Sequence, residues 1–293
     1  MPIAELNKKY TFSDIQEKSL QLAKIFQGIL NLETIGMSHD GREILMIRLG
    51  YHKKYILITA GVHGREYINS AVLLRIAERY ALQIMSKTGV FKDYGILFIP
   101  VLNPDGYVIA TEGFQSIKDK SLRKKCIAQK VKSPLWKWNA RAVDINRNFI
   151  SDSYCKGPHT GIFNSENETK ALINLLQHES TIGYIDIHSR GESIYFYRGL
   201  MGKDYNRIQR RIAGKLAMST GYKLMMPSDE IEEGDTGGNT VHYYSEYMSF
   251  PAITVETIPD DAAFPLKCEY AMETYCRIKN IPEEFLKSLL EAN

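Results

Sequence analysis

Short β-rich runs alternate along the chain with longer stretches whose apolar residues recur every three or four positions. Tyr55-Ile56-Leu57-Ile58-Thr59-Ala60 is an unbroken apolar run ending at Gly61, which predicts a strand buried on both faces. After it, Val72, Leu73, Ile76, Ala77, Tyr80 and Ile84 form a stripe at helical spacing that stops near Gly89. Residues 95–101 predict a second buried strand, closed by a turn at Asn103-Pro104-Asp105-Gly106. Ser165, with Glu168 three residues on, predicts a capping-box start to a helix that turns Ala171, Leu172, Leu175 and Leu176 inward. Residues 182–187 and 252–256 predict two more strands, and a last long helix is expected over about 266–279. Strands interleaved with helices in this way predict an α/β fold, a three-layer α/β/α sandwich around a largely parallel or mixed sheet. No repeat, low-complexity tract or Pro/Gly/Ser-rich linker interrupts the pattern, so one domain is expected over 1–293. In such folds ligands gather at the carboxyl ends of the strands.

Composition narrows the partners. The 37 basic and 34 acidic residues give a formal charge of +3, too even a balance to argue for nucleic acid or an anionic membrane. The densest basic stretch, 118–132, is broken by Asp119 and apolar residues and reads as a solvated face. The N-terminus has neither the basic nor the long apolar region of a signal peptide, and no run approaches the roughly 18 apolar residues of a membrane span. A cytoplasmic location is therefore expected, although a secreted chain already trimmed of its signal would begin in the same way. Cys126, Cys155, Cys268 and Cys276 contain no Cys-x-x-Cys pair, which argues against a cysteine zinc site. Cys268 and Cys276, both on the expected last helix, are about 12 Å apart by helical rise, too far to bridge. Reduced thiols are the expectation.

Candidate chemistry is concentrated in four places. In Gly61-Val62-His63-Gly64-Arg65-Glu66, just after the first strand, His63 and Glu66 are spaced so that a helical turn or tight loop aims both at one point. An imidazole and a carboxylate on one ion is ordinary zinc chemistry, though lone His-x-x-Glu pairs also arise by chance or as surface ion pairs. His188 ends the very apolar run Ile185-Asp186-Ile187 and must be hydrogen-bonded in the core or ligating. As a ligand it completes a set of three, leaving a fourth position for water. Glu256 ends the β run Ala252-Ile253-Thr254-Val255, where burial beside a cation would tune it for accepting a proton. A strand-end glutamate can equally face solvent. The fourth place is Arg141-Ala142-Val143-Asp144-Ile145-Asn146-Arg147-Asn148-Phe149. Two arginines here need anionic partners, either a structural ion-pair cluster or a bound carboxylate and an oxyanion. Asp144 between them could accept the second nitrogen of a ligating histidine.

The order His63-x-x-Glu66, Asn103-Pro104-Asp105-Gly106, Asp144-x-Asn146-Arg147-Asn148, His188-Ser189 and Glu256 resembles the zinc metallocarboxypeptidase family typified by carboxypeptidase A, over about residues 10–279. The resemblance implies an α/β sandwich with a central mixed, largely parallel eight-stranded sheet and one zinc ion per chain. It also implies zinc ligation by His63, Glu66 and His188, with Glu256 as general base. Asn146 and Arg147 would anchor a substrate carboxylate, and Asp144 would orient His63. Trp136-Lys137-Trp138-Asn139-Ala140-Arg141-Ala142-Val143-Asp144 is similar to the pattern of the bacterial branch that cleaves γ-D-glutamyl–diaminopimelate bonds in cell-wall (murein) peptides. On that basis Arg141 would polarise the scissile carbonyl. The digestive members place their arginine farther upstream, where Arg123 competes.

Departures from the family concern the substrate pocket. Digestive members carry a tyrosine shortly before the Gly-Gly matching Gly237-Gly238, where this chain has Ile231-Glu232-Glu233-Gly234-Asp235-Thr236. Tyr243 or Tyr244 could take its capping role only if the loop ran differently. Thr240 occupies the position that lines the side-chain pocket in relatives. A small polar group there, helped by Glu232, Glu233 or Asp235, suits a side chain ending in an amine and a carboxylate, as in diaminopimelate. The expected partner is a short peptide. Removal of ordinary C-terminal amino acids, deacylation of N-acyl amino acids, and catalytically silent binding of wall peptides are the alternatives.

Overall fold

The computed structural model describes residues 2–153, 159–230 and 237–292. In chain order the strands are β1 (Leu30–Met37), β2 (Glu43–Leu49), β3 (Tyr55–Thr59), β4 (Gly95–Ile99), β5 (Thr181–Ser189), β6 (Ser193–Tyr195), β7 (Lys223–Leu224) and β8 (Ala252–Thr257). They form one mixed eight-stranded sheet in the order β1-β2-β4-β3-β5-β8-β6-β7. Its centre, β4-β3-β5-β8, is parallel, while β2 joins β4 and β6 joins β8 antiparallel.

Every residue of β3 is buried because both faces of the sheet are covered. Ile56 and Ile58 pack into the core formed with the helix Ile68–Met85. Leu57 and Tyr55 pack into the other core, with the helices Asn167–His178 and Thr240–Met248. Alternation along β5 and β8 puts Tyr184, Asp186 and His188, and likewise Ala252 and Glu256, on this second face. The parallel strands β3, β5 and β8 also bring their carboxyl ends to one edge of the sheet, where the site forms.

Three local expectations need correction. Asn103-Pro104-Asp105-Gly106 is not a turn but the start of the helix Pro104–Glu112, with the Asn103 side chain accepting from the Gly106 amide at 2.8 Å. An asparagine cap followed by proline in the first turn is a helix-start signal as strong as the turn it mimics. The helix expected from Ser165 begins at Asn167, and its cap residue Glu166 makes no side-chain capping bond. Ser165 and Glu168 are instead drawn into a buried polar cluster. The last helix is divided into Tyr270–Ile278 and Ile281–Leu290, with Pro282 in the first turn of the second. Cys268 therefore precedes the helix that carries Cys276. Cys126, Cys268 and Cys276 are free thiols, and Cys155 lies outside the described residues. Among the described residues no helix is long and apolar enough to cross a membrane.

Candidate metal centre

After β3 the chain enters a single 3-10 turn, Gly64–Glu66, with His63 at its cap. The loop is held from two sides. The Asn103 side-chain amide donates to the Val62 carbonyl at 3.0 Å, and the Gly64 amide donates to the Lys137 carbonyl at 3.2 Å. A Cβ on Gly64 would lie 2.1 Å from the Gly106 carbonyl oxygen, so only glycine allows this approach. Three residues per 3-10 turn eclipse positions i and i+3. His63 Nδ1 accordingly lies 2.7 Å from Glu66 Oε1.

His188, on β5, approaches the same carboxylate from the sheet, with Nδ1 3.2 Å from Glu66 Oε2, which also accepts the Ser189 amide at 3.0 Å. His63, Glu66 and His188 each offer a ligand atom, and these atoms all lie within 4.8 Å of one another. Both rings present Nδ1 to the centre and lean on a carboxylate through Nε2. Asp144 Oδ1 is 3.2 Å from His63 Nε2, and Asp186 Oδ2 is 2.9 Å from His188 Nε2. This is the outer-shell arrangement that fixes the orientation and basicity of metal-ligating histidines. Lys137 Nζ, at 2.6 Å, balances the charge of Asp144.

The charges follow from the geometry. Burial opposes the ionisation of Glu66, but the His63 charge and the hydrogen bonds from both histidines hold its carboxyl below the usual range. Burial likewise opposes charge on His63 and His188. Glu66 and Asp144 keep the proton of His63 above its ordinary range, and Asp186 and Glu66 do so for His188. A divalent cation would replace those protons. Glu256 differs. Burial, reinforced by the negative charges of Glu66 and Asp186, pushes its carboxyl up to about 8 against the opposing histidines. Its Oε2 is buried with no hydrogen-bond partner among the described residues. Two imidazoles, one carboxylate and an orphaned carboxylate oxygen beside them fit a zinc ion with an open position.

The other candidates are distributed as follows. Asn146 and Arg147 lie on the 3-10 turn Ile145–Arg147, capped by the Asp144 side chain, which accepts the Asn146 amide at 3.0 Å. Asp144 thus ties this turn to His63. Arg141, partly exposed, has Nη1 3.4 Å from Glu166 Oε1. Arg123 donates from Nε to the Ile117 carbonyl at 2.8 Å and from Nη1 to Gln115, and so is committed to a neighbouring loop. Thr240 is buried, and its hydroxyl donates to Asp186. Tyr243 and Tyr244 are core residues, and Tyr244 donates to Thr181 Oγ1 at 3.0 Å. Glu232, Glu233 and Asp235 lie outside the described residues. Asp186 was not singled out from sequence, although its place two residues before His188 on a strand puts it on the same face.

His39, Glu166 and Glu168 also bring ligand-type atoms together. The Asn139 amide nitrogen, however, donates to both glutamates, at 2.7 and 3.3 Å. Its orientation is fixed because Asn139 Oδ1 accepts the Arg141 and Val143 amides. A protein donor already occupies the junction.

A His/Glu/His centre at the carboxyl edge of a mixed sheet, with an unpartnered carboxylate on the next strand, defines a metal-centred α/β protein. The zinc carboxypeptidase family model matches residues 17–281, and the chain belongs to that family. Carboxypeptidase A2 of Mus musculus is 28% identical over 233 residues, covering 73% of this chain and 54% of its own length. The chain spans about half the length of the curated relatives it matches. Among solved structures, bovine thrombin-activatable fibrinolysis inhibitor, in complex with tick carboxypeptidase inhibitor, superposes with a TM-score of 0.80 at 17% identity, over 98% of this chain and 99% of that one. The murein-tripeptide amidase MpaA of Escherichia coli O157 superposes with a TM-score of 0.56 at 17% identity, over 86% of this chain and 92% of that one. These structures share the fold.

Proposed function

We propose that the chain is a zinc-dependent peptidase that hydrolyses the γ-D-glutamyl–diaminopimelate bond of murein peptides. The hydrolytic part rests on Glu256, a carboxylate with one buried unpartnered oxygen and a raised proton affinity beside the His63, Glu66 and His188 centre. Zinc held by those three residues would supply Lewis acidity for the carbonyl and for water. Glu256 then takes a proton from the attacking water and passes it to the leaving amine as the C–N bond breaks. Asn146 and Arg147 bind a carboxylate on the substrate, and Arg141 stabilises charge developing on the carbonyl oxygen.

The substrate part rests on the Trp136-to-Asp144 stretch. Buried Asn139 holds the backbone of this loop by accepting the Arg141 and Val143 amides. The shared fold with a murein-tripeptide amidase is compatible with this substrate. The carboxypeptidase A relatives favour a second reading, removal of ordinary C-terminal residues.

The test is zinc-dependent hydrolysis of L-Ala-γ-D-Glu-diaminopimelate beside a blocked dipeptide with an ordinary free C-terminus. Selective release of diaminopimelate, lost on chelation and restored by zinc, is expected. Cleavage of the ordinary dipeptide alone would overturn the substrate and keep the chemistry.

A further inference from the structure

Thr240 starts the helix Thr240–Met248, and its two polar groups serve two different parts of the site. Its amide donates to Asn146 Oδ1 at 3.3 Å, which fixes the residue against the turn that carries Asn146 and Arg147. Its hydroxyl donates to Asp186 Oδ2, the oxygen that faces His188 Nε2 at 2.9 Å. The other oxygen, Asp186 Oδ1, accepts the Thr59 hydroxyl at 2.6 Å. The single proton of Thr59 is thereby used, so the Tyr184 hydroxyl, 2.6 Å away, donates to Thr59. Thr59, Asp186, His188 and Thr240 are all almost completely inaccessible to solvent.

Both oxygens of Asp186 accept hydroxyl hydrogens, from Thr59 and Thr240, so the carboxylate is the acceptor toward His188 and His188 Nε2 is the donor. Its Nδ1 is then the nitrogen whose lone pair is available to a metal. A buried network with every member satisfied fixes one geometry, and removing one donor leaves a carboxylate oxygen short of a partner in a site that water does not reach.

We propose that Thr240 is a positioning residue that, through Asp186, sets the tautomer and orientation of His188 and so the affinity of the centre for zinc. This inference rests on the zinc-peptidase reading for the identity of the ion.

The test is zinc affinity, measured by competition with a chromophoric chelator, for the wild type, Thr240→Val and Thr240→Ser. The valine variant keeps the shape and the backbone amide but loses the hydroxyl. It is expected to bind zinc about 10- to 100-fold more weakly, the usual cost of losing an outer-shell partner, and serine is expected to restore most of the loss. The visible spectrum of the cobalt-substituted protein should shift in the valine variant and not in the serine one. A purely structural role would move neither selectively. Thr59→Val acts on the other oxygen of Asp186 and should weaken zinc binding in the same direction, which keeps the proposal testable if Thr240→Val does not fold. Unchanged affinity in a folded Thr240→Val or Thr59→Val protein, or equal weakening by valine and serine at position 240, would overturn the inference alone. A wild-type chain that binds no zinc would overturn the inference together with the function it rests on.

Discussion

His188 and Glu256 are register partners on β5 and β8, parallel strands paired from Tyr184 opposite Ala252 to Ser189 opposite Thr257. A ligand candidate and the candidate base are thus set side by side by a backbone hydrogen-bond ladder rather than by a loop. A slip of one residue in either strand would turn one of the two side chains to the opposite face. The other two ligand candidates, His63 and Glu66, come from a loop, and that loop is clamped by Asn103, Gly106 and Lys137. Sheet register and loop clamp together supply the rigidity a metal site needs.

Asp144 joins His63 Nε2, Lys137 Nζ and the Asn146 amide in one cluster. Asp144→Ala should lower zinc affinity by about 10- to 100-fold, because His63 loses the partner that orients it. Chelator competition measures this directly, and an unchanged affinity would remove Asp144 from the centre.

Gly64→Ala places a methyl group 2.1 Å from the Gly106 carbonyl oxygen, where backbone meets backbone and neither can yield cheaply. The expected loss is about 2 kcal/mol or more, typical of overpacking, read from the midpoint of urea unfolding. Zinc affinity should fall with it, since the same loop carries His63.

Glu168 is fully buried, and burial with the nearby charges of Asp105 and Glu166 pushes its carboxyl up to about 7. A carboxyl raised in the folded state binds its proton more tightly there than in the unfolded chain. Its contribution is therefore most favourable below the unfolded value of about 4.3 and is lost as pH rises to about 7. Glu168→Gln should remove this slope, a difference of about 3 kcal/mol across the window. Unfolding free energies at pH 4.5 and 7.5 for both proteins check it.

Arg147 sits beside Asn146 on the capped turn Ile145–Arg147. Arg147→Lys replaces a bidentate fork by a point charge, so KM for a carboxylate-bearing peptide should rise by about tenfold or more, with a smaller change in kcat. Steady-state kinetics separate the two parameters. A change confined to kcat would place Arg147 in the chemistry rather than in binding.

The central fold was legible because β3 and β4 are buried on both faces and read as continuous apolar runs, with β5 and β8 mostly buried beside them. The edges were not. β1 is irregularly buried, and β6 and β7 have three and two residues, too short for periodicity to register. Of the site, His63, Glu66 and His188 come together as the motif order implied, with Glu256 on the next strand. The hydrogen bond from Thr240 to Asp186 was not legible, because a position in a motif does not say which way a hydroxyl points. Asp186 is an acidic residue inside an apolar strand, and its partners, Thr59 from β3 and Thr240 from a distant helix, meet it only once the sheet has formed. Likewise, the partner of Arg141, Glu166, is supplied by the cap of a helix that the capping-box pattern started one residue early.

The most direct test of the whole account is Glu256→Gln, with zinc content and peptide hydrolysis measured on the same preparation. The account predicts one zinc per chain, as in the wild type, with turnover reduced by about a thousandfold, as expected when a general base is removed. Turnover near the wild-type level in the zinc-loaded variant would contradict it.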